Sequence, residues 1–152
     1  MLATRPRATS PDTQTNWNGI TGRIELIGYK NAHAENVMLW CDIHSKTVRV
    51  TANITGGKSG KAVISAESFN SEKSHTPEVQ SFEYTDGKLD ALYKMGNDCL
   101  LWSEHEPNLY KLRIDIDGDV SEHIIGMREF NTEGGKFTIN GEKTFLRGKH
   151  DG

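Results

Sequence analysis

The chain has 152 residues, enough for one domain with a real core but too few for two complete ones. Apolar residues make up 35% of it and mean hydropathy is -0.61, which is low for an enzyme with a doubly covered parallel sheet and suits antiparallel strands wetted on one face. Lys and Arg number 18 against 21 Asp and Glu, a net charge of -3 with the signs interspersed, which disfavours a nucleic-acid or anionic-membrane surface.

In chain order, the Pro-, Ser- and Thr-rich stretch 2–17 has no apolar period and predicts irregular chain; Gly22 to Tyr29 predicts a short strand. From Asn36 the pattern alternates, with Val37, Leu39, Cys41 and Ile43 on one face and Met38, Trp40, Asp42 and His44 on the other, which predicts a half-buried strand. After the polar break at Ser45 and Lys46, Val48, Val50, Ala52 and Ile54 give the cleanest period of two in the sequence. Gly56, Gly57 and Gly60 end that strand. Lys61 to Phe69 predicts the next, the polar run Asn70 to Glu78 a loop, and the segment through Phe82 and Tyr84 another strand.

Asp86-Gly87 predicts a turn into a strand over Leu89 to Met95. Tyr110, Leu112, Ile114 and Ile116 alternate with Lys111, Arg113 and Asp115, and Asp117-Gly118 turns the chain into a strand over Val120 to Phe130. Gly134-Gly135 separates this block from a small hairpin, Phe137 to Ile139 and Lys143 to Phe145 about an Asn140-Gly141 turn, which reads as an appendage. About seven short strands at roughly ten-residue intervals, without an amphipathic helix, predict an all-β fold: an immunoglobulin-like antiparallel β-sandwich with terminal extensions. No stretch approaches the roughly 18 apolar residues of a membrane span, and the N-terminus lacks the apolar run of a signal peptide.

The chemistry-bearing residues do not assemble into a catalytic set. Glu104 and Glu106 lie two apart in a Pro-containing turn and cannot flank a sugar ring as paired carboxylates must. His105-Glu106 begins like a zinc-protease motif, but Pro107 follows and Leu109 stands where the second His is required. Asp115, Asp117, Gly118 and Asp119 fit a hairpin turn better than a calcium loop, because the Gly is misplaced and Gly126 holds the position of the closing Glu. His33, His44, His75, His105, His123 and His150 are scattered without metal-site spacing, so neither a metal nor another cofactor is expected. Cys41 and Cys99 sit among bulky apolar residues and read as buried thiols, with a disulfide as the alternative. Trp17, Trp40 and Trp102 suit sugar stacking in principle, which keeps an independent carbohydrate-binding or adhesion module as an alternative; the neighbours of Trp40 and Trp102 favour core packing.

The residues LWSEHEPNLYKLRIDI, then IIGMREF, GKFTINGEKTFLRG and KHDG, resemble the segment of glycoside hydrolase family 2 that leads into its catalytic barrel. The family's Trp, Pro and Leu-Tyr are matched by Trp102, Pro107, Leu109 and Tyr110, its Gly-x-Arg by Gly126 and Arg128, and its hairpin with Arg-Gly by Phe137, Asn140, Gly141, Arg147 and Gly148. TNWNGITGRIELIGY is similar to the last strand of the family's N-terminal jelly roll.

This resemblance implies that residues 31–130 form the middle immunoglobulin-like domain of a β-galactosidase or β-glucuronidase type of enzyme. Residues 1–30 would end the preceding sugar-binding domain, and 131–152 would form a hairpin and lead-in to the barrel. The two glutamates of the family's retaining chemistry would lie beyond Gly152, so no catalytic residue is expected in this chain. Its partners would be the neighbouring domains of the same polypeptide, and neither nucleic acid nor membrane.

By the same resemblance Asn16, Trp17, Arg147 and His150 approach substrate in the full-length enzyme, while interdomain packing is the competing reading for Trp17 and Arg147. Arg128 and Phe145 are expected at interdomain contacts. Thr15 and the short Lys149-His150-Asp151 run depart from lactose-type β-galactosidases and argue against that specificity. A periplasmic or extracellular parent is compatible with the resemblance, which leaves the compartment open.

Overall fold

The computed structural model describes residue 22, residues 24–29 and residues 31–148, and among them every regular element is a strand. Seven strands form one antiparallel sheet: β1 (His33–Asp42), β2 (Thr47–Thr55), β3 (Ser59–Ser68), β4 (Gln80–Thr85), β5 (Lys88–Lys94), β6 (Tyr110–Ile116) and β7 (Asp119–Ile125). Their spatial order is β1-β2-β5-β4-β3-β6-β7. β4 and β5 pair only where Thr85 meets Lys88, beside their turn, so the sheet parts there into a β1-β2-β5 layer and a β4-β3-β6-β7 layer. β1 also touches β6 and β7, which brings the ends of the sheet together and nearly closes the sandwich. This is the expected immunoglobulin-like all-β architecture.

The period of two explains the core. Val48, Val50, Ala52 and Ile54 of β2 meet Leu89, Ala91 and Tyr93 of β5 on the inner face of one layer, and Ala62, Ile64, Leu112, Ile114 and Ile116 come from the other. Each strand that alternates in sequence thereby removes one row from water, the main driving force for stacking the layers. Asp86-Gly87 and Asp117-Gly118 both have positive φ at their two central positions, the backbone that two-residue hairpins require, and each joins the expected strands. Asp42 caps the β1–β2 turn by accepting bonds from the His44 and Ser45 amides (2.8 and 3.1 Å), and the Ser45 side chain first, then these amides, lower its pKa.

Four expectations need correction. Residues 24–29 form no strand: Leu26 is fully exposed, and among the described residues no ladder engages this segment. The strand expected over Val120 to Phe130 stops at Ile125, because Gly126 to Glu129 bend towards Trp102, and Phe130 opens a separate sheet. That sheet has three strands, β8 (Phe130–Glu133), β9 (Lys136–Ile139) and β10 (Glu142–Lys143), so Gly134-Gly135 is itself a hairpin turn, with φ of 55° and 73°, rather than a separator. Trp40 faces outward and Trp102 is half-buried, so neither is a core residue.

Candidate functional site

Three of the expected site residues, Arg128, Phe145 and Arg147, fall within the described part of the chain. Asn16, Trp17 and His150 lie outside the described residues. Arg147 is exposed in the irregular segment after β10. Phe145 is 70% exposed, with the Lys143 ammonium 4.8 Å from its ring centre. Arg128 alone sits in a built cluster, and that cluster joins the three-stranded sheet to the sandwich.

The cluster grows from the chain between β5 and β6. Leu101 bridges Met127 in parallel, Trp102 bridges Pro107, and the Trp102 amide donates to the Met127 carbonyl (2.9 Å). The Glu104-His105-Glu106 segment is a tight exposed turn, closed by Ser103 N–H donating to the Glu106 carbonyl and Glu106 N–H to Ser103 Oγ. Its carboxylates therefore face water instead of each other across a cleft. Gly126 lies against the indole: an added Cβ would stand 3.1 Å from Trp102 Cβ and Cγ, so a side chain there would push the ring away. The Arg128 guanidinium then lies 4.8 Å from the ring centre of Trp102.

Asn140 ties the hairpin to this cluster. It stands at the β9–β10 turn with φ of 54°, a conformation that asparagine tolerates better than most residues. Its side-chain amide donates to the Trp102 carbonyl (2.9 Å) and its oxygen accepts from Glu129 N–H (2.9 Å). Its own N–H donates to the Glu129 carbonyl (2.9 Å). Sequence reasoning took Asn140 as a turn residue only, since an Asn-Gly pair explains a turn without a tertiary partner.

A second cluster lies at the loop before β4. The fully buried Tyr110 hydroxyl accepts the Leu100 amide (2.8 Å) and lies 2.8 Å from His75 Nδ1. Burial lowers the His75 pKa, and the Asp98 charge acts the other way. Burial also raises the Tyr110 and Cys99 values and pushes Cys41 up to about 11. Both cysteines are unpaired and half-buried, so the disulfide alternative is not realised. Raised thiols at neutral pH are poor nucleophiles.

Among the described residues no group of three or more His, Cys, Asp or Glu is placed to hold a metal, and no helix is long and apolar enough to cross a membrane. The arrangement is suited to fixing chain segments against one another.

Comparison with known proteins agrees with this geometry. A β-galactosidase of Leuconostoc mesenteroides is 26% identical over 125 residues, covering 72% of this chain but 12% of that protein. The fold is shared with β-glucuronidases of Parabacteroides merdae (TM-score 0.60, 18% identity, 80% of this chain and 17% of that one) and Faecalibacterium prausnitzii (TM-score 0.59, 16% identity, 77% and 18%). The chain therefore spans less than a fifth of the length of each of these relatives. The sequence model of the glycosyl hydrolases family 2 matches residues 32–128, the whole sandwich through Arg128, and the chain belongs to that family.

Proposed function

We propose that this chain is a non-catalytic immunoglobulin-like domain of a family 2 glycoside hydrolase, which packs and orients a catalytic barrel against a sugar-binding domain. The parent enzyme hydrolyses β-glycosidic bonds, and this domain supplies neither its nucleophile nor its acid/base. Residues 1–30 and 131–152 are then the joins to the neighbouring domains, and Arg128 and Phe145 serve those joins. Asn16, Trp17, Arg147 and His150 approach sugar only in the full-length enzyme.

One observation carries this reading: large apolar side chains are left in water at both ends of the described chain. Ile24, Leu26 and Ile27 before the sandwich and Phe130, Phe145 and Leu146 after it are all more than half exposed. Exposed apolar groups flanking the sandwich on both sides are what interdomain joins would cover. The experiment is a nucleotide read past the Gly152 codon, paired with an assay of this chain on p-nitrophenyl β-galactoside and β-glucuronide. An open frame of about 250 residues or more with alternating strand and helix patterns, and no hydrolysis by this chain, are expected. An immediate stop codon, or turnover by the chain itself, would overturn the reading.

A further inference from the structure

We infer that the outer face of the β1-β2-β5 layer is a carbohydrate-binding platform centred on Trp40. The inference rests on this face alone and does not depend on the larger enzyme proposed above. Trp40 is 45% exposed, a large apolar area to leave in water on a strand whose other face packs on the core. A β-bulge puts it there. Glu35 pairs with Asn53 and Met38 with Thr51, so β1 carries one extra residue beside Asn36, whose φ is 51°. In a regular strand with the same residues the alternation would run on from Glu35 and send Trp40 inward; the bulge absorbs one residue, so Val37, Leu39 and Cys41 point in and Met38 and Trp40 point out.

The neighbours of Trp40 have the chemistry a sugar needs. Trp40 pairs with Arg49, which pairs in turn with Leu92; in the adjacent row Met38 pairs with Thr51 and Thr51 with Asp90. Arg49 Nε and Nη2 donate to the two Asp90 oxygens (2.9 and 2.7 Å), and its guanidinium carbon lies 5.8 Å from the Trp40 ring centre. The ion pair is more than half exposed, where such pairs add little to stability, so stability alone is a weak reason for its bidentate geometry. It does present fixed donors and acceptors side by side. A pyranose offers a C–H face that can stack on an indole and hydroxyls that donate to a carboxylate while accepting from a guanidinium.

A shallow depression of ≈ 330 Å³ adjoins the pair, lined in part by Met38, Thr51, Asn53 and Lys88, within the size range of small-molecule sites. The apolar groups Met38, Trp40 and Leu92 are interrupted by Arg49 and Thr51 and form no continuous patch on the scale of the roughly 800 Å² per partner of a stable protein interface. β1 pairs only with β2, so among the described residues no strand is hydrogen-bonded to it on the side away from Arg49.

Calorimetric titration of the full chain with cellohexaose, xylohexaose, mannohexaose and β-1,4-galactohexaose tests this directly. At least one is expected to bind with Kd of about 1 mM or tighter, and Trp40→Ala or Asp90→Ala to weaken it about tenfold or more. Ile124→Ser, on the exposed face of the other layer, should leave binding unchanged, and melting curves confirm that each variant folds. Absence of binding to all four sugars, or binding that Trp40→Ala does not weaken, would overturn the inference. Self-association that Trp40→Ala abolishes, without sugar binding, would assign the face to a second copy of the chain instead.

Discussion

The Arg128 guanidinium lies 4.8 Å from the ring centre of Trp102, and the carbonyl of that same tryptophan accepts the side-chain amide of Asn140. One residue thereby receives the end of the sandwich on its ring and the hairpin on its backbone. Arg128→Ala is expected to cost about 0.5–1 kcal/mol, with Arg128→Lys intermediate because an ammonium does not stack as a planar group does. Asn140→Gly keeps the turn geometry but removes both side-chain hydrogen bonds, and about 1–3 kcal/mol is expected for the groups left unpaired. Urea unfolding measures both, and limited proteolysis between β8 and β10 should accelerate in the Asn140 variant before the sandwich itself is cut.

Gly60 of β3 pairs directly with Tyr84 of β4, and the tyrosine ring lies across it. A Cβ at Gly60 would stand 2.9 Å from the ring and 2.7 Å from its hydroxyl, and a Cβ at Gly57 would stand 2.7 Å from the same oxygen. Gly60→Ala is therefore expected to destabilise the fold by about 1–3 kcal/mol through overpacking, and the double variant with Tyr84→Ala should lose less than the sum of the two single changes. Additive losses in thermal unfolding would show that the ring does not depend on the bare glycine.

How far such relationships were legible in the sequence depends on their range. The strands of the sandwich and the Asp86-Gly87 and Asp117-Gly118 turns follow from period-two patterns and local turn chemistry, which act between near neighbours. The end of β7 at Ile125 was not legible: Ile124 and Ile125 read as strand, and only the approach of Trp102, more than twenty residues earlier in the chain, explains the bend at Gly126. Gly134-Gly135 was misread because a glycine pair serves equally as a linker or a hairpin turn until its φ values are known. The alternation from Asn36 already sets Trp40 opposite Val37, Leu39 and Cys41, whereas the bulge that holds this register against β2 appears only when the two strands are laid together. Resemblance singles out both Arg128 and Asn140, but the bonds of the Asn140 side chain to Trp102 and Glu129 are tertiary, and its Asn-Gly pair is already accounted for by the turn.

Gln80 closes the open side of the sandwich. Where β4 and β5 diverge, its side-chain amide donates to the Lys94 carbonyl (2.8 Å) and its oxygen accepts the Lys94 amide (3.1 Å), the pair of bonds a neighbouring strand would make. Gln80→Glu keeps the acceptor but sets an anion against a carbonyl. It is expected to destabilise by about 1–3 kcal/mol near neutral pH and to recover part of that once the carboxyl is protonated. Hydrogen exchange at the Lys94 amide reads the effect locally: faster in Gln80→Ala and close to wild type in Gln80→Glu. Unchanged exchange in Gln80→Ala would mean that the amide is protected by something other than this side chain.

His75 gives the fold a direction of acid sensitivity. Its folded pKa lies below the ordinary 6.5, chiefly through burial, so the unfolded chain binds a proton more readily than the folded one. Stability held above the unfolded value is therefore lost as pH falls from about 7 through 6.5 towards the folded pKa. His123, lowered in the same direction by burial, adds to the slope. Protonation also puts an N–H on both ring nitrogens, so Nδ1 can then only donate towards the Tyr110 hydroxyl 2.8 Å away, which already accepts the Leu100 amide. His75→Asn offers an acceptor at about the same position without a titrating proton. Chemical unfolding between pH 5 and 7.5 should give a shallower loss of stability for this variant than for wild type, with the residual slope assigned to His123 by a second substitution, His123→Asn. Identical slopes in wild type and His75→Asn would show that His75 titrates alike in the folded and unfolded chains.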